Sequence, residues 1–254
     1  MPNFEMPVTE YMSSPAETVG IGESLLTANE LFTDQGISAL GVVDARGALK
    51  GVISRTDVLH AAVYTHGATF RIPDRPVEEL MQSPALHVAP STPVSEAAKL
   101  MLKNRVHRVF VTDEHRPIGV CSTRDLMRAV REKRLKTPIS EIASGSIVKV
   151  TADDPIALAV DRLDLSNKHG LVVVEGGFPV GIFDQACAID SRRLPPQTAV
   201  EHAMDVRILI LPGGLSIARA AEQALRMNVR RILIEKDRGT VGIVSGLDFA
   251  RAMG

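Results

Sequence analysis

Apolar and polar positions follow one another along the chain in a pattern that recurs four times. One marker of this repeat, an aliphatic residue followed four positions later by Met or Ala, recurs at spacings of 69, 62 and 61 residues. Its members are Val8 with Met12, Val77 with Met81, Ile139 with Ala143, and Val200 with Met204. A second marker, a glycine followed by two apolar residues, recurs at nearly the same spacings of 68, 62 and 61 residues, as Gly51, Gly119, Gly181 and Gly242. Two independent markers that drift together predict an internal repeat of about 60 residues.

Each repeat contains a run with apolar residues at positions i, i+3, i+4 and i+7, which predicts an amphipathic helix. The clearest stripe, in repeat two, consists of Val94, Ala97, Ala98 and Met101. In repeat one the polar Asn29 interrupts the stripe. We expect these helices to end at residues that tolerate a left-handed backbone, namely Gly36, Asn104 and Asn228.

After this helix come two β-rich runs separated by a polar turn, and then a shorter helix such as Asp125–Val130. Val109–Thr112 and Ile232–Glu235 are examples of the first run. A short strand precedes the first helix, as in Ala85–Val88 and Ile147–Val150. The order of elements is therefore βαββα, and the sequence predicts an α+β fold built from four such repeats.

The repeats cover most of the chain, with residues 1–62, 77–131, 139–194 and 198–254 as repeats one to four. Two segments are interpreted as connectors, Ala62–Pro76 and Arg131–Pro138. The second connector contains four basic residues. We interpret it as a helical tail with a solvated face rather than as a nucleic-acid contact.

Charge and composition narrow the class of protein. There are 29 Lys and Arg residues against 30 Asp and Glu, a net charge of −1 that argues against a broad basic face for nucleic acid. No apolar run is long enough for a transmembrane helix, and the first residues lack a signal peptide. Two cysteines cannot form a zinc site alone, and no catalytic constellation is visible. We expect a cytoplasmic protein without membrane, metal or catalytic function.

A Ser-x-x-Asp motif precedes the shorter helix in three repeats: Ser54 with Asp57, Ser122 with Asp125, and Ser245 with Asp248. One interpretation is structural, because Ser at the N-cap and an acidic residue at N3 stabilise a helix end without any ligand. The other is functional. A helix N-terminus suits a phosphate, and a neighbouring carboxylate can accept the hydroxyls of a ribose. Spacing alone does not choose between them.

The opening Val-x-x-x-Met, the β-hairpin around an acidic turn and the Gly-x-x-Ser-x-x-Asp ending resemble cystathionine β-synthase (CBS) domains. The resemblance extends over nearly the whole chain, from about Val8 to Met253. In that family two repeats pair side by side into a Bateman module, which implies modules over residues 1–131 and 139–254. Such modules associate into discs, so the chain is expected to form a self-contained disc or half of a homodimer.

The resemblance also implies ligand sites in the clefts between paired repeats. The best candidate combines Ser54, Thr56 and Asp57 of repeat one with the basic residues His107 and Arg108 of repeat two. In nucleotide sites of the family, such basic residues reach the phosphate that the other repeat binds.

The remaining clefts are less complete. The mirror image of the first site has Ser122, Thr123 and Asp125, faced by Ser38 and Ala39. In the second module, repeat four supplies Ser245 and Asp248, faced by His169 and Gly170. Repeat three has Asp184 at the cap and Cys187 in place of the ribose carboxylate, although Arg230 and Arg231 would face it. We expect this site to be empty of nucleoside or to bind a different ligand.

Two functions remain open at this point. The first is a regulatory sensor that binds an adenosine-containing ligand and changes the affinity for a separate, unidentified protein. AMP, ADP or ATP are its first candidates, and S-adenosylmethionine, NAD or a cyclic dinucleotide come after them. The second is a ligand-free dimerisation or interaction scaffold. It is favoured by Cys187 and by the absence of the proline that often enters the second strand in the family, where this chain has Gly41, Phe110, Val172 and Leu233.

Overall fold

The computed structural model describes residues 4–65, 69–143, 147–166, 170–236 and 240–253. Repeat one contains β1 (Thr18–Gly20), α1 (Leu25–Asp34), β2 (Ala39–Val43), β3 (Leu49–Ser54) and α2 (Arg55–Ala61). A two-stranded hairpin follows, made of β4 (Val63–Thr65) and β5 (Thr69–Arg71). Repeat two contains β6 (His87–Val88), α3 (Val94–Asn104), β7 (Arg108–Asp113), β8 (Arg116–Ser122) and α4 (Thr123–Glu132). Repeat three contains β9 (Lys149–Thr151), α5 (Ile156–Leu165), β10 (Gly170–Glu175), β11 (Phe178–Asp184) and α6 (Gln185–Asp190). Repeat four contains β12 (Ile210–Pro212), α7 (Ile217–Met227), β13 (Arg231–Lys236), β14 (Thr240–Ser245) and α8 (Gly246–Arg251).

Every repeat forms a three-stranded sheet of the same topology. The first strand runs parallel to the central one, which requires the crossover that the longer helix supplies. The last strand is antiparallel to the central one. The predicted βαββα order is therefore confirmed in all four repeats.

The aliphatic residue that opens each repeat begins a single 3₁₀ turn and is fully buried, with no exposed surface at Val8, Val77, Ile139 or Val200. The Met four positions later packs against a marker glycine. A Cβ on Gly119 would lie 2.5 Å from Met12 Sδ and 2.9 Å from the Ser13 carbonyl oxygen, so that only glycine allows this approach. The two sequence markers therefore meet in space.

These contacts join different repeats. Met12 of repeat one packs on Gly119 of repeat two, and Met81 of repeat two packs on Gly51 of repeat one. Backbone bridges follow the same exchange, from Ser13 to Val120 and from Gln82 to Val52. Repeats three and four show it too, because Met204 packs on Gly181. Opening segments are thus exchanged between repeats one and two and donated from repeat four to repeat three.

The chain divides into two compact units, which we name by the repeats they contain. The even unit combines the sheets and helices of repeats two and four with the opening segments of repeats one and three. The odd unit combines the sheets and helices of repeats one and three with the opening segments of repeats two and four. The even unit consists of Met1–Ala16, Ala85–Ile147 and Ile208–Gly254, and the odd unit of Glu17–Pro84 and Val148–Arg207.

Each unit has its own hydrophobic core, in which most of the buried side chains are aliphatic. In the even unit the predicted stripe of α3 is buried, including Ala98 and Met101. In the odd unit Asn29 of α1 is also buried, with 3% of its surface exposed, and its Oδ1 has no hydrogen-bond partner within the described part of the chain. The interrupted stripe therefore still faces the core. Among the described residues, no helix has the length and apolarity needed to cross a bilayer.

Some local predictions were wrong. The strand expected over Ala85–Val88 begins only at His87, and the strand expected over Ile147–Val150 begins at Lys149. Asn104 does not take the left-handed conformation. It is the last residue of α3, its side-chain amide donates to the Leu100 carbonyl at 2.9 Å, and Arg105 adopts the positive φ of 54°. By contrast, Asn228 caps α7 with φ 55°, as predicted.

The connector predicted over residues 62–76 contains the antiparallel hairpin of β4 and β5, whose register pairs Val63 with Arg71. The basic connector after α4 has exposed side chains at Arg131, Lys133, Arg134 and Lys136, as expected of a solvated face.

Candidate functional site

The Ser-x-x-Asp motif of repeat one forms a capping box at the start of α2. The Ser54 N–H and Oγ–H both donate to Asp57 Oδ2, at 2.8 and 2.6 Å, and the Asp57 N–H lies 3.4 Å from Ser54 Oγ. Within the described residues, the other carboxylate oxygen, Oδ1, accepts a single 3.2 Å bond, from the neutral side chain of Gln82 at the protein surface. Asp57 and Thr56 are half-buried. The carboxylate is held in a fixed orientation and remains accessible.

Repeat two builds the same box with a different environment. The Ser122 N–H and Oγ–H each donate to Asp125 Oδ2 at 2.7 Å. Asp125 Oδ1 accepts a bond from the guanidinium of Arg128, and the Asp125 side chain is only 3% exposed. The N1 residue, Thr123, is buried against Gly246, where an added Cβ would lie 2.5 Å from Thr123 Cβ. Thr123 is therefore part of the contact between α4 and α8.

The capping box of repeat four has the same environment as that of repeat two. The Ser245 N–H and Oγ–H donate to Asp248 Oδ2 at 2.7 and 2.9 Å, and Arg251 donates to Oδ1 at 2.8 Å. The Asp248 side chain is 1% exposed. In these two repeats both carboxylate oxygens are engaged, and one of them is engaged by a cation.

Repeat three keeps the cap without a carboxylate at N3. Asp184 Oδ1 accepts the N–H groups of Ala186 and Cys187 at 3.0 and 3.2 Å. Burial, followed by the charge of Asp184, raises the pKa of the Cys187 thiol to about 12. The thiol lies 3.7 Å from the Ile182 carbonyl oxygen. Cys187 therefore behaves as a half-buried neutral thiol with neither the charge for a ribose nor the reactivity of a nucleophile.

The predicted basic residues lie beside the caps of their own repeats. The carbonyl of His107 accepts the N–H of Thr123 at 2.9 Å, and Arg108 pairs with Ser122 across the hairpin. Arg231 pairs with Ser245 in the same way. Burial, and after it the charge of the neighbouring Arg230, lowers the pKa of Arg124.

The candidate residues are distributed over both units. The odd unit holds Ser38, Ser54, Thr56 and Asp57, and the even unit holds His107, Arg108, Ser122, Thr123, Asp125, Arg230, Arg231, Ser245 and Asp248. His169 lies outside the described residues. Within the units, the structure brings each Ser together with its own Asp. The sites that combine paired repeats, and the assignment of modules to residues 1–131 and 139–254, stay predictions.

Two arginines, at the third position after the motif's aspartate, were not predicted as part of the site. Arg128 also donates to the Tyr11 carbonyl oxygen, and Arg251 to that of Ile142 at 3.4 Å. The Tyr11 hydroxyl donates to Glu132 at 2.8 Å, and burial followed by this bond raises the pKa of Tyr11 to about 12. The i, i+3 spacing was visible in the sequence as a helix-surface pair. Repeat one has His60 there, which pairs with Asp164 at 3.0 Å instead.

The chain is similar in sequence to several known proteins. An uncharacterised 33.4 kDa protein of Thermofilum pendens is 29% identical over 229 residues, which are 83% of this chain and 72% of that protein. The 5'-AMP-activated protein kinase subunit gamma-3 of Sus scrofa is 31% identical over 113 residues, which are 42% of this chain and 21% of the subunit. The chain thus spans less than a quarter of the kinase subunit.

A solved structure from Methanocaldococcus jannaschii, described as a proposed archaeal homologue of g-AMPK, superposes with a TM-score of 0.82. It covers 98% of this chain and 100% of that one at 16% identity, so that it shows the shared fold. Residues 8–64 and 77–132 match the family model of the CBS domain. These segments contain repeats one and two, and repeats three and four have the same order of elements and sheet topology. Repeats one and two of this chain are CBS domains.

Proposed function

We propose that this protein is a regulatory sensor that binds an adenine nucleotide, with the Asp57 carboxylate as the acceptor of the ribose hydroxyls. The observation that carries the proposal is the geometry of Asp57. Its Oδ2 is fixed by the capping box, while the one donor to Oδ1 among the described residues is the neutral amide of Gln82 at 3.2 Å. Two hydroxyls can replace that amide, and each hydrogen bond to a carboxylate is charge-assisted.

The phosphate of the ligand needs cations from elsewhere in the chain. In the proposed site, His107 and Arg108 of repeat two supply them, as the resemblance implies. The exchange of opening segments connects repeats one and two within each compact unit, because each repeat completes the packing of the other's sheet. In repeat three the thiol of Cys187 stands where the ribose acceptor is expected.

AMP is the first ligand to test, followed by ADP and ATP. The kinase subunit that resembles part of this chain belongs, by its name, to a kinase activated by 5'-AMP. S-adenosylmethionine and NAD carry the same adenosine group and are later candidates. Ligand binding can act on a partner protein only when the two conformations of the sensor bind the ligand with different affinities. The regulated partner is a separate protein.

A scaffold that binds no ligand is the second candidate function. It is favoured by the fact that the capping boxes of repeats one, two and four are complete in the structure as it stands. In this case the aspartates serve only to stabilise helix ends.

A thermal-shift titration separates the two functions. The protein is heated with AMP, ADP, ATP, S-adenosylmethionine and NAD, and the Asp57→Ala and Asp125→Ala variants are treated in parallel. A ligand at 100 times its dissociation constant stabilises the folded protein by about 2.7 kcal/mol. This corresponds to a rise in Tm of roughly 5–10 °C for a chain of this size.

The sensor predicts a shift that Asp57→Ala abolishes and that Asp125→Ala retains. Asp125→Ala is the matched control, because it also removes a capping box. The absence of a shift with every adenosine ligand would favour the scaffold. A shift that depends on Asp125 alone would move the site to repeat two.

A further inference from the structure

The arginine three positions after the motif's aspartate distinguishes the repeats of the even unit. Arg128 donates both to Asp125 Oδ1 and to the carbonyl oxygen of Tyr11, in the opening segment of repeat one. Arg251 likewise joins Asp248 Oδ1, at 2.8 Å, to the carbonyl of Ile142 in the opening segment of repeat three. We call each of these arginines, with the two acceptors it joins, an arginine latch.

The latch occupies acceptor positions that a ribose would need. A carboxylate offers about four acceptor positions, two on each oxygen. At Asp125 the capping box uses both positions of Oδ2, and Arg128 takes one of Oδ1. A single position remains for two ribose hydroxyls, and the side chain is 3% exposed. A ribose can therefore bind Asp125 through both hydroxyls only after Arg128 has left.

In repeat one the Asp57 carboxylate accepts as many hydrogen bonds as that of Asp125, but the bond to its Oδ1 is weaker. The donor to Asp57 Oδ1 is the neutral amide of Gln82 at 3.2 Å, in an exposed position. Both donors meet a carboxylate, but only Arg128 adds the attraction of an opposite charge, and it does so at a side chain that is 3% exposed. His60, which stands where the arginine would be, is paired with Asp164.

The latch also connects the carboxylate to the opening segment. Tyr11 directly follows the 3₁₀ turn and is followed by Met12 and Ser13, of which Met12 packs on Gly119 and Ser13 pairs with Val120. Since one guanidinium bonds both Asp125 and the Tyr11 carbonyl, displacing it from the carboxylate also removes its bond to this segment. The Nε of Arg128 is buried without a partner within the described part of the chain, which lowers the cost of displacing the side chain.

We propose that Arg128 and Arg251 close the carboxylates of repeats two and four to nucleotide, so that these repeats bind it more weakly than repeat one. We propose further that the release of each arginine loosens the opening segment that it holds. The first part rests on the proposed function and deepens it. The second part concerns the chain alone and can be measured without a nucleotide.

The first experiment measures AMP binding by calorimetry in the full chain. The Asp57→Ala variant removes the open site, and Arg128→Gln is then added to it. The latch predicts that Arg128→Gln tightens the remaining AMP binding by about tenfold, a change equivalent to about 1.4 kcal/mol. Arg131→Gln, in the same helix and exposed beside Glu132, is the matched control and leaves the affinity unchanged. Equal or weaker binding in Arg128→Gln overturns the first part.

The second experiment measures hydrogen exchange without nucleotide. The amides of Met12 and Ser13 donate to the carbonyls of Val8 and Val120 at 2.8 and 2.9 Å. We expect them to exchange about tenfold faster in Arg128→Gln than in Arg131→Gln. Unchanged exchange overturns the second part.

The outcomes separate failure of the latch from failure of the nucleotide site. If AMP binds to no form of the protein, the proposed function fails, the first part fails with it, and exchange alone decides the second. If AMP binds to the wild type and Arg128→Gln has no effect, the latch fails while the sensor stands. Should Arg128→Gln not fold, Arg251→Gln tests the same proposal at Asp248, with exchange near Ile142 as its readout.

Discussion

Repeats one and two carry the same Ser-x-x-Asp motif and the same capping box, and yet their carboxylates differ in what they can bind. Asp57 is half-buried beside a neutral amide, whereas Asp125 is enclosed and bonded to Arg128. The capping box is therefore common to both repeats and does not determine whether a ligand can reach the carboxylate. The residue three positions further along the helix, His60 or Arg128, decides it.

The largest expected difference between the two repeats is in stability. Asp125→Ala removes the acceptor of the capping box and leaves Arg128 without its carboxylate. Loss of an N-cap lowers the free energy of unfolding by about 0.5–2 kcal/mol, and breaking a buried ion pair lowers it by about 3–5 kcal/mol. The partial exposure of Arg128 reduces the second figure. We expect the free energy of unfolding to fall by about 3 kcal/mol for Asp125→Ala and by about 1 kcal/mol for Asp57→Ala.

Urea unfolding of the full chain measures this difference. Asp190→Ala, at the exposed end of α6, serves as a control with no expected effect. Equal losses for Asp57→Ala and Asp125→Ala would mean that Arg128 contributes nothing to the folded state, and the contrast between the repeats would disappear.

The glycine contacts are predicted to be equal in the two repeats. A Cβ on Gly51 or on Gly119 would lie 2.9 Å from the carbonyl oxygen of Gln82 or Ser13, so that backbone has to move in both cases. Overpacking of this kind destabilises by about 1–3 kcal/mol. We expect about 2 kcal/mol for Gly51→Ala and for Gly119→Ala, measured by urea unfolding.

Gly47→Ala is not a suitable control, because Gly47 has a positive φ of 78°. Gly22→Ala is suitable, since nothing lies within 4 Å of its added Cβ and its φ is ordinary. A large difference between the Gly51 and Gly119 variants would show that the exchanged opening segments are packed differently in the two units.

The four repeats and their Ser-x-x-Asp motifs could be predicted from the sequence, but the difference between the Asp57 and Asp125 carboxylates could not. Two spacings, of the opening aliphatic residue and of the glycine, were sufficient for four βαββα repeats, because each marker satisfies a fixed packing requirement, as Met12 and Gly119 show. No periodicity indicates on which sheet an opening segment will pack, so its exchange between repeats was not predicted. The β4–β5 hairpin lay in a segment interpreted as a connector between repeats one and two.

Only the local part of the candidate site could be predicted from the sequence. Ser54 and Asp57 form the expected local arrangement, because capping geometry depends on residues three apart in one helix. The role of Arg128 could not be predicted in this way. An i, i+3 pair on a helix is ordinarily solvated, and its meaning here depends on the burial of Asp125 and on the Tyr11 carbonyl, which is more than a hundred residues away.

Transferring the latch to repeat one tests whether a single position decides access. His60→Arg places an arginine three residues after Asp57. Because Asp164 would compete for the new guanidinium, Asp164→Asn is added. We expect the affinity of the Asp57 site for AMP to fall by about tenfold, or about 1.4 kcal/mol, in calorimetric titrations. His60→Gln with Asp164→Asn is the control and retains the affinity. Undiminished binding in the arginine variant would show that other residues keep Asp57 open.

The smallest expected effect concerns the helix before the site, where repeat one has Asn29 and repeat two has Ala98. Both side chains are buried, and Asn29 Oδ1 has no partner within the described residues. A buried polar atom without a hydrogen bond costs about 1–3 kcal/mol, while the smaller alanine leaves a void that offsets part of the gain. We therefore expect Asn29→Ala to raise the free energy of unfolding by about 0.5–1 kcal/mol, with Ala98→Asn destabilising by more because it introduces the same unpaired group into a packed core. Urea midpoints measure both changes. A destabilised Asn29→Ala would mean that the amide is satisfied in solution and that this difference between the two repeats is structural rather than a defect of repeat one.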